Sequence, residues 1–356
     1  MILFYCEFAG IVVLWILSYL SKNTKVDKYF HFLIIASLLF FSCVRSFDTG
    51  ADTRMYVNYF HLIQQKSWKH LWLKGFNNLE KGYVLLNKLI SSIYYSDRLF
   101  IIVTSFLTIL PTCIFIQKKS KNCYLSYLLY IAMEFWFNQM YVIRQSIAIS
   151  CCLVALFFSE KKGIKNFLWF MFFVLLATSF HQTAIIFAFA YLLRFIKINY
   201  KSCLIGITLL IVFFFGGDEI VTFINQYARI QYEIGFTGGF TILMCLMAMA
   251  VFIYIAYNGE FNEDNNRKTL FLMVVCSIIV QTLSLNLELL VRLARYFMMA
   301  IFAAFPNAYK RFIARDGSVA IKIVANCIII VLSLVLLLAW IDRPYVTGYY
   351  FMEWRK

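Results

Sequence analysis

The residues able to do chemistry in this chain are few and fall in separate places. Arg45 to Phe60, RSFDTGADTRMYVNYF, packs Arg45, Asp48, Asp52, Arg54 and Tyr56 around Gly50 directly after an apolar run. Gly50 supplies a tight turn at no steric cost, which could fold the carboxylates back over Arg45. The plain alternative is an internally neutralised loop. Arg144 opens another apolar stretch, with Asn138, Gln139, Gln145 and Ser146 close by. An arginine at membrane depth loses hydration, so it faces a pocket or a partner such as Glu134, or snorkels to the interface. His181 lies in ATSFHQTAI with no second histidine or cysteine at ligand spacing. That argues against a metal and for hydrogen bonding or proton transfer, with simple packing as the alternative. Glu288, Arg292 and Arg295 precede Tyr296; the first two are spaced to pair on one helix face, and the two arginines to point two guanidinium groups one way.

Together these groups suit an anionic, lipid-linked substrate. Guanidinium forks match phosphate oxygens and stay charged in a low dielectric. An imidazole or carboxylate could deprotonate an attacking hydroxyl while the arginines stabilise a diphosphate leaving group. Arginine-lined cavities also serve flippases and transporters of the same lipids, and a membrane acyltransferase or ligase would use a histidine too.

The elements that must carry these residues are membrane helices. The chain is 62% apolar or aromatic and only 14% charged, with a mean hydropathy of +0.76. Repeated apolar runs of near-spanning length predict an all-α, polytopic bundle forming one membrane domain over 1–356, of about twelve segments. The segments run near 2–20, 29–45, 98–116, 123–137, 139–158, 166–180, 182–194, 202–216, 237–257, 269–286, 294–309 and 319–341. Several are too short to cross a bilayer alone, which predicts tilted, broken or protein-buried helices. The first run has no basic leader and reads as a helix, not a cleaved signal. The ten cysteines show no ligand spacing and read as small buried residues.

Charge then assigns sides. The loops around Lys22–Lys28, Lys118–Lys121, Lys161–Lys165, Arg194–Lys201, Arg267–Lys268 and Lys310–Lys322 hold most of the excess behind the net +15. The positive-inside rule makes that side cytoplasmic and puts both termini outside. The basic balance is thereby a topology signal that needs no nucleic acid. The outer face receives a loop over 47–97, with Trp68, Trp72 and Phe76 among lysines and an amphipathic stretch near Gly82–Tyr94, and a second loop over 216–239. Every group singled out above falls on this outer side.

The motifs resemble a known family. GADTRMY after Arg45, EKGYVLLNKLI from Glu80, IRQSIAIS around Arg144, FHQTA around His181, RLARYF around Arg295 and the Tyr345 region are similar, in order, to the EpsG family of Wzy-like bacterial polysaccharide polymerases. The resemblance implies a GT-C-like glycosyltransferase of the bacterial cytoplasmic membrane. Such an enzyme polymerises undecaprenyl-diphosphate-linked repeat units on the outer face for capsule, exopolysaccharide or O-antigen. It would use no cofactor or metal, and would work beside a flippase and a chain-length regulator. Carried onto these residues, Arg144, Arg292 and Arg295 contact the diphosphate, with Arg45 as an alternative. His181 positions or deprotonates the acceptor hydroxyl with Asp52 as the alternative base, and Tyr56, Glu80, Gln145 and Asp48 line the glycan path.

Overall fold

The computed structural model describes residues 2–21, 23–228, 239–285, 290–315 and 318–341, and every regular element among them is helical. Two long helices, α1 (Ile2–Ser21) and α2 (Thr24–Cys43), lead into three shorter ones, α3 (Thr53–Gln64), α4 (Trp68–Lys74) and α5 (Lys81–Ile93). The long α6 (Asp97–Lys119) is followed by α7 (Cys123–Ala132), α8 (Phe135–Tyr141), α9 (Ile143–Ser159) and α10 (Ile164–Phe180). A 3-10 segment, Gln182–Ala188, continues into α11 (Phe189–Leu193), α12 (Tyr200–Phe215), α13 (Gly217–Ala228), α14 (Phe240–Tyr257), α15 (Asn265–Leu283), α16 (Val291–Met298), α17 (Ile301–Arg315) and α18 (Val319–Ile341).

Six of these, α1, α2, α6, α14, α15 and α18, are long and apolar enough to cross a membrane. The chain is a multi-pass membrane protein built as an all-α bundle. Other segments expected from hydropathy are shorter apolar helices of 10–17 residues, among them α7, α9, α10 and α12. Glu288, the Tyr345 region and 229–238 of the second outer loop lie outside the described residues.

The helices group into two compact units. The first comprises 1–154, 175–182 and 317–356, and the second 155–174 and 183–316. In the first, α2 packs on α1 and α6, α7 on α1, α6 and α18, and α3 on α5. A polar seam runs along α6. Thr104, Ser105, Thr108 and Thr112 are buried, and each hydroxyl bonds a carbonyl one turn back. Thr112 Oγ1 also accepts from Gln139 Nε2 at 3.0 Å, and the Thr108 carbonyl from Ser150 Oγ at 3.0 Å. Hydroxyls satisfied this way let helices associate where water cannot compete.

The helical path is broken at α7–α8–α9. Glu134 between the first two adopts a left-handed φ of 67°. Asn138 Nδ2 donates to the Glu134 carbonyl at 3.0 Å, and all of α8 is buried. Irregular backbone is tolerated at this depth because protein, not lipid, surrounds it. In the second unit α14, α15, α16 and α17 pack together, with α11 and α12 against α15. The cysteines divide. Cys113 and Cys152 are buried, but Cys6, Cys203 and Cys327 are exposed, as a lipid-facing surface is no more polar than a core.

Candidate active site around Glu80

Glu80 is the centre of the first unit's ionisable cluster. It occupies the N-cap position of α5 without bonding that helix's own amides, so its oxygens serve other segments. Oε2 accepts from Arg144 Nη1 at 2.5 Å. Oε1 lies 3.3 Å from His181 Nδ1 and accepts from the Gln182 amide at 3.3 Å. The Glu80, Arg144 and His181 side chains are 9%, 21% and 12% exposed, so little water screens the cluster. Burial alone would push the Glu80 carboxyl up. Hydrogen bonds from His181 and the backbone, and the Arg144 charge, more than reverse it and hold the group at about 2.

Local sequence brings these parts together. The apolar face of α5 carries Tyr83, Val84, Asn87, Ile90 and Ser91 at helical spacing, and all are buried. That face rests on α3, whose buried Tyr56, Val57 and Phe60 join Tyr83, Ile90, Phe100 and Ile143 in one core. Gly82 sets the approach of α5 to the end of α10. A Cβ there would overlap Ser179 Oγ and lie 2.7 Å from the Ser179 carbonyl oxygen. Only glycine lets Glu80 reach His181, two residues beyond that serine. Arg144 is delivered by the first turn of α9, just after the buried break. Its guanidinium carbon stands 6.0 Å from the Tyr56 ring centroid, and Tyr56 meets Tyr83 edge-on at 5.6 Å.

The polar turn after α2 proves to be a clamp. Arg45 is 1% exposed. It donates to the Ser42 carbonyl, to Ser105 Oγ at 2.6 Å and to the Met140 carbonyl at 2.7 Å. Arg98 donates to the Cys43 and Arg45 carbonyls at 2.7 and 2.9 Å. Both cations thus satisfy carbonyls left open at the C-terminus of α2. Gly50 takes φ +74°, and a Cβ on it would lie 2.5 Å from Tyr141 Cγ. Asp48 pairs with exposed Arg54, while Asp52 holds the N-cap position of α3. Gln145 is 1% exposed behind Arg144.

Four of the residues read from the sequence, Tyr56, Glu80, Arg144 and His181, therefore meet. Nearness in sequence points to Glu134 as the partner of Arg144; the structure gives it Glu80, 64 positions away. Ser179 and Gln182 belong to the polar stretch that flanks His181, and Gly82 opens the amphipathic stretch; a glycine early in an amphipathic helix is itself a sign of close backbone approach. Arg292 and Arg295 belong to the second unit, on α16. There Tyr296 Oη lies 3.2 Å from Thr183 Oγ1.

The profile of the EpsG family matches residues 28–353. The chain belongs to the EpsG family. This EpsG-family chain is also similar to the amylovoran biosynthesis protein AmsC of Erwinia amylovora, 24% identical over 165 residues. That match covers 46% of this chain and 43% of the relative, so the chain spans less than half the length of the curated relative it matches. No solved structure matches.

Proposed function

We propose that the chain polymerises undecaprenyl-diphosphate-linked oligosaccharide repeat units at the outer face of the bacterial cytoplasmic membrane. The observation that carries the reading is the Glu80–His181–Arg144 cluster. Glu80 Oε1 stands 3.3 Å from His181 Nδ1; in the proposed tautomer Nδ1 carries the proton facing that carboxylate and Nε2 is the acceptor, as when a carboxylate fixes an imidazole as general base. His181 Nε2 takes the proton of a sugar hydroxyl on one lipid-linked repeat. The hydroxyl oxygen attacks the anomeric carbon of the glycan on another carrier. The bond from that carbon to the diphosphate oxygen breaks, and undecaprenyl diphosphate leaves with the electron pair. Arg144 stabilises the charge that collects on the leaving group.

Asp52 remains the alternative base, and Tyr56, Asp48 and Gln145 are assigned to the glycan path around the cluster. Arg45 is the alternative phosphate contact, although its bonds to Ser42, Ser105 and Met140 favour a bracing role. In the second unit Arg292 and Arg295 are assigned to diphosphate oxygens. The short apolar helices would complete about twelve membrane segments of GT-C-like kind, with both termini outside. A chain-length regulator and a flippase are the protein partners this role calls for.

The experiment is glycan profiling of a deletion strain, complemented with wild type or His181→Ala. Both mutant backgrounds should lose long chains and accumulate single repeats on the outer leaflet. Accumulation on the inner leaflet would select a flippase instead, and full-length but unmodified glycan an acyltransferase.

A further inference from the structure

The charges at the basic end of the second unit do not all cancel. The loop after α14 carries Glu260, Glu263 and Asp264. Glu260 pairs with Arg311 at 2.8 Å, and Asp264 lies 3.9 Å from Arg267. Both of those arginines also stand over the Tyr257 ring, 4.5 Å away for Arg267 and 5.2 Å for Arg311. Two of the three carboxylates are thereby taken. Lys268 has a different environment: the charged groups acting on it among the described residues are Lys197 and Arg194, both cations. Exposed Glu263 is not one of them.

Backbone contacts hold these three cations together. Arg194 follows α11 directly, donates to the Lys161 carbonyl at 3.1 Å and stacks 5.1 Å from the Tyr191 ring centroid. Lys268, only 5% exposed, donates from Nζ to the Arg194 carbonyl at 2.9 Å. The Asn262 side chain accepts from the Ile198 amide and donates to the Ile198 carbonyl, each at 2.9 Å, which pins the turn bearing Lys197. Like charges fixed on such a frame repel one another, and an anion among them relieves the repulsion. The surface beside them is apolar. Phe195 and Tyr200 are 67% and 76% exposed. The α12 helix packs on α15 yet has no buried residue, and turns Leu204 and Ile205 outward. In a multi-pass protein such a surface meets acyl chains, and aromatic rings at its rim sit at headgroup depth. A water-borne acidic peptide would have no use for it.

We propose that Arg194, Lys197 and Lys268 bind the phosphate of an anionic phospholipid whose acyl chains lie along the start of α12. The charge of the loops makes its leaflet the cytoplasmic one. The site is separate from the Glu80 cluster and independent of the reaction assigned to it. The lipid ties α11, α12 and α15 together, so its binding favours the folded second unit.

The test uses the full chain in nonionic detergent with a trace of phosphatidylglycerol that carries a photoreactive acyl chain. Labelling should fall on peptides from α11 to the first turns of α12 and on the start of α15. Excess phosphatidylglycerol should suppress it, while phosphatidylcholine and inorganic phosphate should not. Arg194→Gln combined with Lys197→Gln should cut labelling about thirtyfold, and exposed Lys197→Gln alone about fivefold. Arg194→Lys should retain most of it. Lys25→Gln with Lys28→Gln, which removes two exposed charges from the basic side of the first unit, should leave it unchanged. Equal displacement by phosphatidylcholine, indifference to the substitutions at Arg194 and Lys197, or an equal loss in the Lys25 and Lys28 variant would reduce the cluster to a topology signal and overturn the proposal. Equal displacement by inorganic phosphate would make it a site for a free anion and overturn the lipid assignment.

Discussion

Although burial opposes it, the Glu80 carboxyl is held at about 2 by His181, the backbone and Arg144, so it stays ionised throughout the range in which cells grow. In the proposed mechanism it therefore orients the imidazole and does not itself take the proton. Glu80→Gln should lower polymerisation about 10²–10⁴-fold by removing the charge that fixes the ring, with little change in expression. In vitro synthesis on purified lipid-linked repeat measures this, and an active Glu80→Gln enzyme would remove the cluster from the mechanism. The same carboxyl makes an acid-side prediction. Its folded value lies below its ordinary 4.5, so the unfolded chain binds the proton more tightly. The stability it confers is full above about 4.5 and is lost as pH falls toward 2. Thermal unfolding in detergent should show wild type losing more over that window than Glu80→Gln.

Packing decides whether the elements carrying these residues can meet. Replacing Gly82 with alanine adds a Cβ that would lie 2.7 Å from the Ser179 carbonyl oxygen, so α5 must shift away from the end of α10. Gly82→Ala should cost about 1–3 kcal/mol and lower activity further than its stability loss accounts for, because Glu80 rides on the shifted helix. Activity and unfolding temperature measured on one preparation separate the two effects. Arg45 is the bracing counterpart. Arg45→Met would leave the Met140 carbonyl without its Arg45 donor and the Ser42 carbonyl with only Ser105 Oγ at 3.2 Å, costing about 2–4 kcal/mol, read as lower yield and unfolding temperature. The apolar helices were legible from hydropathy, the amphipathic α5 from its periodicity, and the special backbone at Gly50 from its residue type, whereas α3 and α13 lie in stretches read as outer-face loop. Glu80, Arg144 and His181 could be picked out singly as charges that topology does not demand. Their union could not be read, because it depends on Gly82 and on a helix break at Glu134, which hydropathy blurs into one apolar run. Arg45 misled for a related reason: local sequence cannot separate a guanidinium facing a substrate from one bonded to carbonyls on two other helices.

Across the molecule, the hydrogen bonds sort the loops in the way charge does. In the first unit Asp27 at the start of α2 accepts from Tyr124 of α7 at 2.7 Å and from Ser18 of α1 at 2.5 Å, joining the ends assigned to the cytoplasm. The Arg45, Arg98 and Glu80 networks join segments assigned to the outside. In the second unit Arg194 donates to the Lys161 carbonyl at 3.1 Å and Lys268 to the Arg194 carbonyl at 2.9 Å. Arg311 pairs with Glu260 at 2.8 Å, again linking loops from the basic side. Retention of such basic clusters by the cytoplasmic side is what orients a polytopic chain. Single cysteines placed in a chain freed of its ten native ones should then divide by side. Lys69→Cys and Lys74→Cys should react with a membrane-impermeant maleimide in intact spheroplasts, while Lys119→Cys and Lys162→Cys should react only after permeabilisation. The reverse pattern would place Glu80 and His181 in the cytoplasm, where no polymerisation of exported repeats occurs. A mixed pattern between the Lys69 and Lys162 sites would break the alternation on which the outer-face reading depends.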